Sequence, residues 1–359
     1  MSFLNVSVII PVHNAEKYLS KCLNSLFNQT LPDFEVICIN DGSTDQSQRI
    51  LEQFKKNHPN LRLLTQKNLG AGPARNQGIR QAQGEYIAFL DSDDYYPDRY
   101  VLEDLYQAAK HNQASICGGS FSEDWGGWIK KTFEEDFKQY RFDKEGWIEY
   151  SDYQYDYGFH RFLYQKEMLM KNKILFPSYI RFQDPPFFVH AMITARKFYA
   201  LPRVSYCYRC GHQHLYWDES RASALVKGLT DNLIASKQHS LKELHRLTVH
   251  RLENEFRSEI AQNLTRENTE LLDLLFFANE QIDKEMVNRT ELCENITPII
   301  QEAFISKDSR AERELYQKYA EEIDHLRNSW TYKIGAMVLY VPKRVREVWI
   351  NLRKKRIKH

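Results

Sequence analysis

Three carboxylates crowd into four residues at Asp91-Ser92-Asp93-Asp94, directly after the apolar stretch from Glu85 to Leu90. Like charges this close repel unless something positive sits among them. Asp91 and Asp93 alternate around one small residue, and their hard oxygens suit Mg²⁺ or Mn²⁺ better than zinc. The competing use is helix capping, since Asp94 to Asp98 with Pro97 has the composition of a helix start. A cap takes one carboxylate, however, and this stretch offers several. Arg75 follows the glycine-rich run from Asn68 to Ala74, a turn suited to a phosphate or a nucleotide. The dinucleotide fingerprint does not fit there, because its third glycine would fall at Arg75. Farther on, Gln183-Asp184 precedes Pro185-Pro186, and Cys207, Cys210, His212 and His214 fall within eight residues. That last cluster is too compact for the usual structural zinc site, which separates its ligand pairs by about a dozen residues.

The elements that must position these residues alternate in type. Val6 to Val12 reads as a strand, and from Ala15 apolar residues recur at Tyr18, Leu19, Cys22, Leu23, Leu26 and Phe27 with helical period. The same alternation predicts strands over 34–39, 61–65, 86–90 and 114–117, with helices over 45–54 and 74–82. Strands separated by helices of this length make parallel βαβ units with helices on both faces of one sheet, and ligands bind at the C-terminal strand edge. The carboxylate knot, the glycine-rich loop and Asn40-Asp41-Gly42-Ser43-Thr44-Asp45 all follow strands on that edge. In the last of these Gly42 permits a tight turn and Asp41 could accept bonds from a base or ribose, while Ser43, Thr44 or Asp45 could equally cap the next helix.

Taken together, Pro11-Val12-His13-Asn14, Asn40 to Asp45, Asn68 to Gly78 and Gly84 to Asp94, in this order and spacing, resemble family 2 glycosyltransferases of the GT-A fold. The likeness covers about the first 120 residues and resumes at Arg181 to Phe188. It implies an α/β, Rossmann-like, mainly parallel sheet followed by an α-helical C-terminal domain. It also implies an inverting enzyme that moves a sugar from a nucleotide diphosphate, usually a UDP-sugar, to a saccharide or lipid-linked oligosaccharide in bacterial surface-polysaccharide synthesis. By the same likeness Pro11, His13, Asn14, Asp41, Arg75, Asp91 and Ser92 belong to the donor site, with Asp41 on the uracil. Asp91 and Asp93 would hold Mn²⁺ or Mg²⁺, with a late histidine, His212 or His214, as a third ligand; we take His212. Asp184 would be the base. Family members usually place Glu-Asp there, and Gln183 removes a neighbouring charge. That change, with the helix dipole, predicts a lowered Asp184 pKa, and Asp184 is also expected to cap the helix that follows. A sugar-nucleotide pyrophosphorylase is a poorer fit, lacking its Gly-rich Lys/Arg signature after the first strand. A catalytically silent sugar-nucleotide-binding module is opposed by the intact Asp91, Asp93 and Asp184.

Between these segments aromatics, among them Trp125, Trp128 and Tyr157, crowd into forty residues with many acids. Aromatic faces pack against sugar rings, so Trp125 and Tyr157 are the acceptor-binding candidates, the alternative being a small second core. After Trp217 glycines nearly vanish and helical periodicity takes over, dividing the chain into 1–215, a helical part 216–329 that could serve a homodimer or docking to another enzyme, and a tail 330–359. The tail carries nine Lys or Arg against Glu347 alone, a net +8 that leaves the rest of the chain at −7 within an overall +1. Its apolar residues alternate with basic ones around Trp349, which predicts attachment to an anionic membrane surface rather than to nucleic acid. Its longest apolar run, Ile334 to Val341, falls well short of the ~20 residues a membrane span needs. Six scattered cysteines and the absence of a leader before the first strand point to a reduced, cytosolic protein, peripheral on the inner face of the membrane.

Overall fold

A computed structural model of the chain describes residues 4–127, 129–130, 140–212, 216–265, 269–287 and 296–304. The first ninety residues follow the expected alternation: β1 (Val6–Val12), α1 (Leu19–Phe27), β2 (Phe34–Asp41), α2 (Ser47–Asn57), β3 (Leu61–Gln66), α3 (Ala71–Gln81) and β4 (Tyr86–Phe89). β1 pairs in parallel with both β2 and β4, and β2 with β3. Every residue of β1 is buried, as a central strand covered on both faces requires. Val8 and Ile10 turn to one apolar layer, with Leu19, Leu23 and Leu26 of α1, while Ile9 between them turns to the other, with Phe89, Phe162 and Phe187. The strand period of two thus feeds two separate cores.

The second half of the sheet is less regular. After α4 (Val101–His111) come β5 (Ile116–Asp124), β6 (Ile129–Lys130), β7 (Gly146–Glu149), α5 (Tyr150–Tyr153), a 3₁₀ turn Phe159–Arg161, β8 (Phe162–Gln165), α6 (Lys166–Lys171), α7 (Asp184–Ala195) and β9 (Lys197–Arg209). Among the described residues the strand order is β3-β2-β1-β4-β8-β5-β9-β7, with β6 on β5. β8 is inserted between β4 and β5 and runs antiparallel to both, whereas β5 and β9 are parallel. β5 therefore does not continue the parallel run from β4, as the sequence pattern implies. Gly118 makes that insertion sterically feasible: a Cβ there would lie 2.0 Å from the Phe162 ring.

The chain forms two compact units, Met1–Tyr216 with Lys227–Thr248, and Trp217–Val226 with the described residues from Val249 on. The helices α8 (Glu219–Gln238) and α9 (Lys242–His250) thus contribute to the first unit, although their composition matches the helical part. There the Asn232 amide donates to the buried Asp156 carboxylate at 2.8 Å and the Tyr179 hydroxyl to Asp231 at 3.0 Å. The second unit contains α10 (Arg257–Asn263), α11 (Thr269–Gln281), α12 (Lys284–Val287) and α13 (Thr297–Phe304), with Leu252, Ile260, Leu271 and Ile299 buried. No helix among the described residues is long and apolar enough to cross a membrane. Trp128, His214 and the basic tail lie outside the described residues.

Candidate active site

The parallel strands deliver their C-terminal ends to one edge. Pro11 is buried within β1, opposite Ile39, and the chain beyond it turns at Asn14, whose φ is +49°. His13 Nδ1 lies 2.8 Å from the Asp41 carbonyl, which can only accept, so Nδ1 carries the proton and Nε2 faces the Asn14 and Asn68 amides as an acceptor. The Asp41 carboxylate accepts from the Gln66 amide and from the backbone N–H groups of Leu69 and Gly70, each at 2.8 Å. It therefore fixes the entrance to the glycine-rich loop, with Gly42 at φ +71° making the turn beside it. Of the alternative capping residues Asp45 does hold the helix start: α2 begins at Ser47 after Gln46, whose side chain makes no cap bond, and Asp45 Oδ1 accepts from the Ser47 N–H at 2.9 Å.

That loop leads into α3, on which Arg75 is only 5% exposed. Its Nη2 donates to Asp91 Oδ1 at 2.6 Å, and the guanidinium also feels the charge of Asp184. Its centre lies 4.9 Å from the Phe159 ring and 5.2 Å from that of Phe176. Nε and Nη1 are buried and without a hydrogen-bond partner among the described residues, so this cation retains donors for a further anion. Burial opposes the charge on Asp91, yet Arg75 beside it holds the carboxyl below the usual range.

Asp184 departs from expectation twice. It is the first residue of α7 rather than its cap, which is Gln183, and no side chain caps that helix. Its pKa is raised, not lowered: burial disfavours the charge and Asp91 adds to that, against the opposing pull of Arg75 and of its own backbone N–H. Desolvation exceeds the dipole and the lost glutamate charge on which the sequence-based expectation rested.

The other members of the knot turn away from Arg75. Asp93 Oδ2 meets His212 Nε2 at 2.9 Å, so the long-range pairing of Asp93 with His212 is present. Asp94, read in sequence as a possible cap, is buried and accepts from the Tyr206 hydroxyl and the Arg209 N–H, each at 2.7 Å. Burial, then the charges of Asp93 and Asp91, push its pKa well up. α4 begins later, at Val101, where the Gln29 side chain rather than Asp94 accepts from the Leu102 N–H at 3.0 Å. No three ligating side chains converge among the described residues. Asp93 and His212 nevertheless make a usable partial set, a carboxylate and an imidazole, for an ion that takes its remaining oxygens from phosphate and water. Asp91, expected alongside them, instead has one oxygen on Arg75. Ser92 is half-buried between the two groups. Cys207 is buried in β9, where its backbone bridges to Tyr95, and both it and Cys210 are free thiols.

Of the aromatic insert, most rings build core: Tyr150, Tyr155, Phe159 and Tyr164 are buried. Trp125 differs, being 51% exposed just beyond β5 and next to Gly211 in the His212 loop. Tyr157 is half-buried, edge-on to Tyr155 and Phe182. Sequence reasoning passed over His160. Burial, with Arg75 and Arg161 nearby, lowers its pKa to about 3, against the opposing charge of Asp91. The available signal was a lone polar residue between Phe159 and Arg161 at the mouth of an apolar strand.

Residues 7–172 match the family model described as Glycosyl transferase family 2. Over that stretch, just under half of the chain, the sequence is similar to family 2 glycosyltransferases. The chain is 37% identical over 199 residues to the poly(ribitol-phosphate) beta-glucosyltransferase of Bacillus spizizenii, covering 54% of this chain and 30% of that one. It is 33% identical over 209 residues to the uncharacterized glycosyltransferase EpsJ of Bacillus subtilis, covering 57% and 60%. The chain thus spans less than two thirds of the length of either relative. In fold it resembles Staphylococcus aureus TarS residues 1–349 solved with UDP-GlcNAc, at a TM-score of 0.64 and 22% identity over 79% of this chain and 83% of that one. It also resembles the mannosyltransferase PcManGT from Pyrobaculum calidifontis, solved with GDP-Man and Mn²⁺, at 0.54 and 17% identity over 85% and 88%. The GT-A architecture expected from the sequence is the one observed.

Proposed function

We propose that the protein is an inverting glycosyltransferase that moves a hexose from a UDP-sugar to a saccharide acceptor in bacterial surface-polysaccharide synthesis. The observation that carries this reading is the buried Arg75 between Asp91 and Asp184, at the C-terminal edge of a family 2 domain. Arg75 has two donors left for the diphosphate or the sugar next to it. Asp184, its basicity increased by burial, removes the proton from the acceptor hydroxyl as that oxygen attacks the anomeric carbon from the face opposite the leaving nucleotide. A base acting from that side inverts the centre. Asp93 and His212 would hold Mn²⁺ or Mg²⁺, and a bound cation supplies charge stabilisation to the departing diphosphate. Asp41, His13 and Asn14 form the wall suited to the nucleoside, and exposed Trp125 offers a ring face to the acceptor.

The test is incubation with UDP-sugars and saccharide acceptors, following UDP release with and without Mn²⁺. Acceptor-dependent release with a product of inverted anomeric configuration is expected. Binding of UDP-sugars without any release would favour a silent binding module. The basic tail is proposed to hold the enzyme on anionic membranes at ~1 kcal/mol per engaged basic residue. Removal of residues 330–359 should then abolish co-sedimentation with anionic vesicles, and equal sedimentation of the full chain with neutral ones would sink that assignment.

A further inference from the structure

We infer that His160 reads a hydroxyl of the donor's sugar ring and helps decide which hexose the site accepts. The inference rests on the UDP-sugar reading above and deepens it.

His160 is held from both sides in chain. Phe159 before it is locked into the apolar core, with ring centroids 5.6 Å from Phe89 and 5.4 Å from Phe176. Arg161 after it is fully buried and donates to the Gly119 carbonyl at 2.8 Å. The imidazole itself lies over Tyr206 at 3.9 Å between centroids, with Phe121 at 5.5 Å. Aromatic contact therefore fixes its plane, and the tethers of its neighbours fix its place. What is missing is polar company. Nδ1 and Nε2 are both buried and both lack a hydrogen-bond partner among the described residues. Leaving buried polar atoms unmade is costly, and a phenyl ring would fill the same aromatic stack without that cost.

The location supplies the reason for the polar ring. His160 interacts electrostatically with Asp91 and Arg75, the pair assigned to the donor, and Tyr206 beneath it donates to Asp94 on the same loop. The Tyr206 hydroxyl also accepts from the Asp91 N–H at 3.2 Å, so the ring stacked on Tyr206 lies beside the Asp91 loop. A neutral imidazole has one N–H donor and one lone-pair acceptor, and a sugar hydroxyl likewise both donates and accepts. Phosphate, which offers only acceptors at neutral pH, can meet only the N–H, whereas a hydroxyl can meet either nitrogen.

Calorimetric titration with UDP, UDP-glucose, UDP-galactose and UDP-N-acetylglucosamine tests this on the full chain. Wild type should bind its preferred UDP-sugar more tightly than UDP, and His160→Phe should lose about tenfold in affinity for that sugar nucleotide while binding UDP as before. His160→Gln, which keeps a donor and an acceptor, should recover part of the loss and serves if the Phe variant does not fold. A donor analogue lacking the hydroxyl concerned should bind wild type about tenfold more weakly and gain nothing further from His160→Phe. Equal affinity of wild type and both variants for the UDP-sugar would overturn the inference. So would a raised acceptor KM with donor affinity unchanged, which would place the contact on the acceptor. If wild type binds no sugar nucleotide at all, the donor reading itself falls.

Discussion

At the Arg75 end of the site Asp91 meets a buried guanidinium, whereas at the His212 end Asp94 is enclosed by Tyr206 and the backbone of Arg209. The two carboxyls stand three residues apart on one loop, yet the first is held below its usual pKa and the second well above it. Burial acts on both in the same direction. The difference is the cation: a full charge within hydrogen-bond distance outweighs desolvation, and neutral donors do not. One end of the site therefore stays ionic and suits an anion, while the other combines a buried, hydrogen-bonded strut with the largely buried Asp93–His212 pair.

The strongest break in that contrast comes from the residue Arg75 shares with Asp91. Asp184→Asn retains shape but no basic site, so kcat should fall by ~10²-fold or more with donor affinity nearly unchanged. Near-normal turnover with earlier melting would reduce Asp184 to a structural role. Next in size, Arg75→Ala leaves Asp91 and Asp184 without their common counter-charge, which should cost about 3 kcal/mol in thermal or denaturant unfolding and raise donor KM. Arg75→Lys should recover more of the stability than of the KM, because lysine restores charge without the planar fork. At the opposite end His212→Ala should weaken Mn²⁺ binding in the presence of UDP by about tenfold, followed by electron paramagnetic resonance of the free ion. An unchanged titration would detach His212 from any metal role.

The smallest effect is expected at Asp94, and pH gives it a sign. A carboxyl with a lowered folded pKa, such as Asp91, contributes stability above the ordinary carboxylate range that is lost as pH falls through the folded value. Asp94, with a raised one, favours the folded state at low pH and loses that contribution as pH rises through its folded value. Asp94→Asn should therefore cost about 1 kcal/mol or less at neutral pH and make the decline of melting temperature above pH ~4 shallower. Asp91→Asn should instead flatten the acid side of the profile.

The Arg75 end was largely legible in sequence because its parts lie on successive βα loops, where strand and helix periods announce the sheet edge. Asp41, Arg75 and Asp91 all follow from that local pattern. The His212 end depends on β9 running alongside β5, and no local period states which strand lies next to which. The insertion of β8 escaped for the same reason: Phe162 to Gln165 reads as a short apolar run without a declared partner. The role of Asp94 was not legible because its partners, Tyr206 and Arg209, are more than a hundred residues away. The Asp184 pKa was misjudged because burial, the largest influence on it, is a property of the packed site rather than of its neighbours in chain.

The insertion of β8 also governs how the protein can be made. β4 leaves the ribosome with one edge unpaired, and its partner arrives only with Gln165, while β5 must wait for that strand and for β9, complete at Arg209. At ribosomal speeds the nascent chain carries open strand edges for on the order of ten seconds. During that interval the four parallel strands from β3 to β4 have all the residues needed to assemble, including both Arg75 and Asp91. The ion pair can close while Asp184 is still to be synthesised, so the first carboxylate is already neutralised when the second is threaded in beside it.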